Sequence, residues 1–281
     1  MSRVAILGAG HIGAAVAERL ARTGWCRAIV LVDPMHEVAA GKALDIRQSG
    51  AIEGSRTSLE WAADGAACAS ASLIIVADSA AEPCAELQGE SALAVVARAG
   101  RANADAPILC AGNTHRWLIE HALLEVPGRR GRVFGTAPHA LASAGRALLA
   151  AQLGVSALDV RLPLAGVPPH AIVVAWDAAV VGDRRADDVC SHQTRRKVER
   201  ALSSTWPLGP CALASAASAA ATACLTASHR RFTCLTTVDV GDAVGGVGMA
   251  SARLDATGVA SVDVAPLSMS QTLAVERALR R

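Results

Sequence analysis

Short apolar runs alternate with longer helical segments through the first 135 residues. Each run has three to five residues, and most are followed by a stretch of helical periodicity long enough to cross one face of a sheet. This order predicts parallel strands joined by helices. The predicted strands are 4–7, 28–32, 73–77, 107–111 and 132–134, and the predicted helices are 11–23, 36–48, 86–101 and 115–125.

The order of the elements changes after residue 135, where helices and strands no longer alternate regularly. The last helix is predicted to begin at Ser268, because Ser268 and Gln271 stand at capping-box spacing. The other predicted elements are helices 140–153, 185–202 and 209–228 and strands 158–164, 171–175, 232–240, 246–254 and 259–264. We therefore divide the chain into an α/β domain, 1–135, and an α+β domain, 136–281.

Composition and charge exclude several classes of function. A formal net charge of +2 and a pI near 8.2 are too mild to indicate a nucleic-acid or acidic-membrane partner. The eight cysteines form no CxxC pair, so we expect reduced core thiols and no metal site. The chain starts directly with a strand, which favours the cytoplasm. Residues 211–228 are mainly Ala and Ser, which favours an internal helix over a membrane span.

A glycine turn joins the first predicted strand to the first helix in residues 3–13, RVAILGAGHIG. In a dinucleotide-binding turn, Gly8 permits the sharp bend, Gly10 lets pyrophosphate approach the backbone, and Gly13 lets the helix pack on the strand. The free amides of the helix start, at His11 and Ile12, then face the phosphate. The alternative is a glycine turn kept only for packing.

An acid follows the second predicted strand at the spacing that such a site requires. Asp33 stands 20 residues after Gly13 (33 minus 13), where a carboxylate binds the adenosine ribose hydroxyls. No Arg occurs among residues 34–36 to bind a 2′-phosphate. The motif therefore predicts a Rossmann domain that binds NAD rather than NADP.

With this unit and residues 41–46 (GKALDI) in place, the chain resembles the lactate/malate dehydrogenase family. Residues 73–77 (LIIVA) resemble that family's fourth strand, and Asn113 lies in a stretch similar to its asparagine turn, where Asn contacts cofactor and substrate. The resemblance continues through 133–155, 163–176 and 246–281. It implies a Rossmann doubly wound sheet plus a C-terminal substrate domain, NAD as cofactor with Ala77 and Asn113 in its site, and a homodimer or homotetramer.

The same resemblance implies a catalytic His, an Asp that orients it, and two Arg residues that bind and polarise the substrate. In this chain the position of the Asp falls on Leu141, that of the carboxylate-binding Arg on Ala144 and that of the His on Pro168. The segment matching the mobile loop, residues 78–90, carries four acids and no Arg or Lys. Ordinary lactate or malate turnover is therefore not expected.

Other residues are weighed as replacements for the missing groups. His170 is the best candidate base, because two residues after Pro168 in an extended chain its side chain returns to the same face. His139 is predicted to point to the opposite side of its helix from the position of the Asp. His115, just after Asn113, is weighed as a crevice residue, but a His at a helix start more commonly caps the helix or lies at the surface. Cys110 is interpreted as a core residue rather than a nucleophile.

Two functions follow from the sequence. One is an NAD-dependent oxidoreductase acting on a CH–OH group, with an altered substrate site and His170 as the base. The other is a catalytically silent NAD(H)-binding paralogue, a pseudoenzyme that acts as a sensor or a partner-binding subunit. The substrate, the physiological partner and the exact oligomer are left open.

Overall fold

Six parallel strands form the N-terminal half of the main sheet in the computed structural model, which describes residues 2–81, 86–125 and 130–281. Their order is β3-β2-β1-β4-β5-β6, which is the doubly wound arrangement. The strands are β1 Ser2–Leu7, β2 Cys26–Val32, β3 Ser58–Ala62, β4 Leu73–Val76, β5 Ile108–Cys110 and β6 Val133–Gly135. The predicted α/β class is confirmed.

Four helices connect these strands, and the sequence pattern located all of them. They are α1 His11–Thr23, α2 His36–Glu53, α3 Gly89–Ala102 and α4 Arg116–Glu125. The helix predicted at 86–101 begins three residues late, so Glu86 lies outside it. Strand β3 was not predicted, because its sequence SLEWA has polar residues at the sheet edge and is not a continuous apolar run.

The second half of the chain extends the same sheet with antiparallel strands. Strand β12 joins β6 through the pair Leu235–Gly135, and β13, β8 and β9 follow in order, with β14 paired to β13. These strands are β8 Leu164–Val167, β9 Ala171–Val174, β12 Arg231–Val240, β13 Ala243–Asp255 and β14 Gly258–Asp263. A small separate sheet contains β7 Val160–Arg161, β10 Val180–Val181 and β11 Arg184–Arg185.

Five helices accompany these strands: α5 Ala137–Leu153, α6 Ala186–Val189, α7 His192–Ser204, α8 Pro210–Leu225 and α9 Met269–Leu279. The capping box predicted at Ser268 and Gln271 is present. The single helix predicted at 185–202 is wrong. Two helices, α6 and α7, occur instead, and α7 begins where the Ser191 hydroxyl accepts a hydrogen bond from the Thr194 amide.

Helix α8 is buried over much of its surface, in keeping with its Ala-rich composition, while Cys211, Ala212 and Ser215 are exposed. Nine of its residues are buried, and the hydroxyl of the buried Ser218 donates to the Ala214 carbonyl of the same helix. Small side chains let the neighbouring α1 and α5 pack closely against it. No helix within the described ranges is long and apolar enough to cross a membrane.

Candidate functional site

The carboxyl ends of four parallel strands meet where the strand order reverses, between β1 and β4. Such a reversal opens a crevice in which doubly wound folds bind ligands. The sequence places the glycine turn after β1, Asp33 after β2, Ala77 and Asp78 after β4, and Asn113 after β5. The fold therefore brings the predicted cofactor-site residues, together with Asp78, which was not predicted, to one edge of the sheet.

The glycine turn has the predicted backbone shape. Gly8 has a φ of 98°, which favours glycine, and its amide donates to the Val32 carbonyl at 2.8 Å. A Cβ on Gly13 would lie 2.0 Å from the Gly8 carbonyl oxygen, so the start of α1 packs directly on the turn. His11 is exposed at the first position of α1, and Ile12 is buried.

Asp78 occupies the start of α1, and sequence reasoning did not assign it this position. Its carboxylate accepts hydrogen bonds from the His11 amide at 2.6 Å and the Gly13 amide at 2.9 Å, and its side chain is fully buried. A Cβ on Gly10 would lie 2.3 Å from the carboxyl carbon of Asp78. An internal anion therefore lies on the helix-start amides, where sequence analysis expects a phosphate.

The Asp33 carboxylate is buried and bound by backbone amides. One oxygen accepts from Ala9 and Ala80, each at 2.9 Å, and the other accepts from Met35 at 2.9 Å. Only 1% of the residue is exposed. Asp33 thus ties the glycine turn to the segments after β2 and β4, and its predicted contact with a ribose stays a prediction.

Asn113 is held by Glu86 and by the segment before α8. Its side-chain amide donates to Glu86 at 3.1 Å and to the Leu208 carbonyl at 3.0 Å, while its oxygen accepts from the Leu208 amide at 2.9 Å. Glu86 also accepts from the Thr114 hydroxyl and from the amides of Asn113 and Thr114. A second internal carboxylate therefore lies at the start of the helical segment after β5.

Burial and hydrogen bonding act in opposite directions on Glu86. Burial raises the pKa of its carboxyl. The Thr114 hydroxyl, His115 and the amides of Thr114 and Asn113 together lower this pKa by a larger amount, so the net shift is downward. His115, predicted to be a cap or surface residue, is fully buried instead. Burial lowers the pKa of His115, although the negative charges of Glu86 and Asp78 act in the opposite direction. The net downward shift favours a neutral ring, which accepts a hydrogen bond from the Gly112 amide.

The residues considered for catalysis differ in burial and in surroundings. Leu141 is fully buried in the main core, and Pro168 is buried beside a cis bond to Pro169. His170 is exposed in the turn between β8 and β9, and its side chain makes no hydrogen bond or ion pair with the residues that the structure describes. Cys110 is fully buried, and burial raises its pKa to about 12, which agrees with a core role.

His139 packs against the ring of Phe232, with centroids 4.6 Å apart, and its Nδ1 is buried without a hydrogen-bond partner among the described residues. Burial, together with the positive charges of Arg146 and Arg230, lowers the pKa of His139 to about 4. The ring is therefore neutral at pH 7, and its protonation destabilises the folded protein.

Lowering the pH from about 7 to about 4 is expected to reduce the free energy of unfolding by about 3 kcal/mol through His139. The unfolded chain binds this proton at the ordinary pKa of 6.5, whereas the folded chain binds it only near 4. The unfolded state therefore takes up more protons as the pH falls, and stability is lost. Urea unfolding at several pH values should show a shallower decline for His139→Gln. Ser143→Ala, on the same helix, should keep the parent slope, and an unchanged slope for His139→Gln would contradict the assignment.

Comparison with known proteins finds a family match in the first part of the chain. Residues 2–88 match the family described as lactate/malate dehydrogenase, NAD binding domain. The malate dehydrogenase of Thioalkalivibrio sulfidiphilus is 37% identical over 76 residues, which are 27% of this chain and 25% of that protein. L-lactate dehydrogenase B of Hordeum vulgare is 28% identical over 189 residues, which are 65% of this chain and 55% of that protein.

Solved structures extend the likeness of fold beyond the NAD-binding domain. Malate dehydrogenase from Salinibacter ruber aligns with a TM-score of 0.83 at 21% identity, over 98% of this chain and 93% of that one. A Cryptosporidium parvum lactate dehydrogenase, complexed with lactic acid and NAD, aligns with a TM-score of 0.88 at 18% identity, over 99% and 95%. The whole chain therefore has the lactate/malate dehydrogenase fold, and NAD is confirmed as the cofactor type of its first domain.

The donors at the glycine turn suit a pyrophosphate, but they do not accommodate one in this arrangement. The space beside Gly10 holds the Asp78 carboxylate, and the helix-start amides of His11 and Gly13 already donate to it. Lys42, which lies close by, donates to the carbonyls of Ala9 and Gly10. The glycine turn keeps the backbone donors of a pyrophosphate site, and the Asp78 side chain occupies the position of the pyrophosphate.

Proposed function

We propose that the protein is a catalytically silent NAD(H)-binding relative of the lactate and malate dehydrogenases, acting as a sensor or a partner-binding subunit. The burial of Leu141 and Pro168 carries this proposal. The family resemblance assigns these two positions to the acid and the base of the proton relay, and neither side chain can exchange a proton. Both residues are buried, and Leu141 lies in the main apolar core.

The surroundings of Ala144 support the same proposal. The resemblance assigns this position to an Arg that binds the substrate carboxylate. Ala144 lines a cavity of about 550 Å³, and among the described residues its lining includes no Arg, Lys, Asp or Glu. Its walls are mainly Ala, Ser and Leu residues of α5, α8 and the segment between α7 and α8. Such a cavity gives no cation to pair with a 2-oxo acid.

His170 offers little support for the alternative of an oxidoreductase with an altered substrate site. A catalytic His is normally oriented by an acid and shielded from bulk water. His170 is exposed, and neither an acid nor any other hydrogen-bond partner holds its ring among the described residues. The same exposure makes His170→Gln a safe substitution for testing the alternative.

We expect no turnover of pyruvate or oxaloacetate with NADH above a rate about 10⁴-fold below that of a malate dehydrogenase assayed in parallel. A general base contributes about 10²–10⁴ in rate and a charged donor about 10²–10³. The assay is NADH absorbance, extended to alcohols, hydroxy acids and amino acids with NAD. Turnover that His170→Gln abolishes would support the oxidoreductase instead. Calorimetric titration with NADH tests the binding part separately.

A further inference from the structure

We propose that Asp78 is an internal competitor for the dinucleotide, so that NAD(H) binds only when this carboxylate leaves the start of α1. The inference rests on the proposed function, since it concerns how the same site takes its ligand. It assigns to Asp78 the control of affinity. The ligand class is a dinucleotide, recognised through its pyrophosphate.

The Asp78 carboxylate matches the anion that it replaces. The two oxygens of Asp78 accept from two amides of the first turn of α1, those of His11 and Gly13. A phosphate at a helix start uses the same donors and the same favourable end of the helix dipole. Each amide has one hydrogen to donate, so the carboxylate and a phosphate cannot both be satisfied there.

Gly8 and Gly10 leave room for Asp78 that a larger residue would fill. A Cβ on Gly8 would lie 2.3 Å from the Asp78 carbonyl oxygen, and one on Gly10 would lie 2.3 Å from the Oδ2 atom of Asp78. The Gly10 amide also donates to that carbonyl at 2.9 Å. The backbone of Asp78 is therefore anchored to the turn, and rotation of the side chain is the movement that would free the amides.

Negative charge at this edge of the sheet also opposes a pyrophosphate. Asp33, Asp78 and Glu86 all present carboxylates at this edge of the sheet, each bound by backbone amides. A pyrophosphate that entered beside Asp78 would place like charges close together in a buried site, where they are poorly screened. The apparent dissociation constant thus increases by the inverse of the fraction of molecules in which Asp78 has withdrawn.

The experiment is a titration of NADH, followed by its fluorescence, into the full-length protein and three variants. Asp78→Ala is expected to lower the Kd by about 10-fold to 100-fold, because one or two charge-assisted hydrogen bonds no longer oppose binding. Asp78→Asn keeps the shape and one acceptor, so it should fall between Ala and the parent. Glu90→Gln, an exposed acid in the first turn of α3, should leave the Kd unchanged.

A second measurement does not depend on NAD(H). Inorganic pyrophosphate should raise the Tm of Asp78→Ala, and of Asp78→Asn to a smaller extent, because it refills the vacated anion position. The parent and Glu90→Gln should show no such increase.

The outcomes separate the two proposals. Equal NADH affinity in the parent and both Asp78 variants would overturn the competition and leave NAD(H) binding in place. Pyrophosphate stabilising only the Asp78 variants, with no NADH binding to any protein, would show that Asp78 occupies an anion position, but it would overturn both the competition with a dinucleotide and NAD(H) binding. If neither ligand acts on any variant, both proposals are wrong.

Discussion

Gly13→Ala is expected to destabilise the protein by about 4 kcal/mol or more, which is among the largest effects of single substitutions. The new Cβ would lie 2.0 Å from the Gly8 carbonyl oxygen; Gly8 directly follows β1, and Gly13 lies in the first turn of α1. Neither can move without displacing the buried strand or the helix that packs on it. Urea unfolding followed by circular dichroism measures the loss.

Gly10→Ala is the matched comparison, because its clash involves a side chain and not the backbone. We expect a loss of about 1–3 kcal/mol, as Asp78 is forced away from the amides of His11 and Gly13. In the Asp78→Ala background, Gly10→Ala should cost less than it does in the parent. Gly13→Ala should cost the same in both backgrounds. Equal costs of Gly10→Ala in the two backgrounds would show that Asp78 does not occupy this space.

Leu141→Asp is expected to cost about 3–5 kcal/mol or to prevent folding, and to restore no turnover. The family resemblance assigns an acid to this position, but Leu141 is fully buried in the main core. The substitution removes apolar contacts and buries a carboxylate that has no partner. Unfolding measurements at pH 7, combined with the NADH assay, test both parts.

Leu141→Met is the control, since it keeps volume and apolarity and should cost less than about 1.5 kcal/mol. A folded Leu141→Asp variant that oxidises NADH with oxaloacetate would contradict the proposal of a silent protein. If Leu141→Met lost as much stability as Leu141→Asp, the position would tolerate no change of shape. The buried carboxylate would then not be the cause of the loss.

The first unit, β1–α1–β2, was predictable because its signals are local. An apolar run, a glycine turn and an amphipathic helix each report on residues within a few positions, and helix α1 occurs at the predicted residues 11–23. The cap at Ser268 was predictable for the same reason. Strand β3 was not, because an edge strand with polar positions lacks the continuous apolar run of its neighbours.

The acidic composition of residues 78–90 was visible in the sequence, and its expected effect on a carboxylate substrate was repulsion. The structure gives two of these acids other partners. Asp78 reaches amides 65 and 67 residues away along the chain, and Glu86 reaches Asn113, 27 residues away. The unpartnered amides at each helix start were the one available signal, since a buried donor requires an acceptor.

The sequence by itself determined the alternation of strands and helices in 1–135, apart from β3, and the glycine turn with its acid, because backbone sterics and hydrophobic periodicity act over short separations. Only the tertiary structure decided which anion lies in the cradle. Strand order brings the ends of β1 and β4 together, and Asp78 there meets amides that a dinucleotide would otherwise need. The residues at Gly8, Gly10 and Gly13 are compatible with either occupant, since both are anions that approach the same backbone.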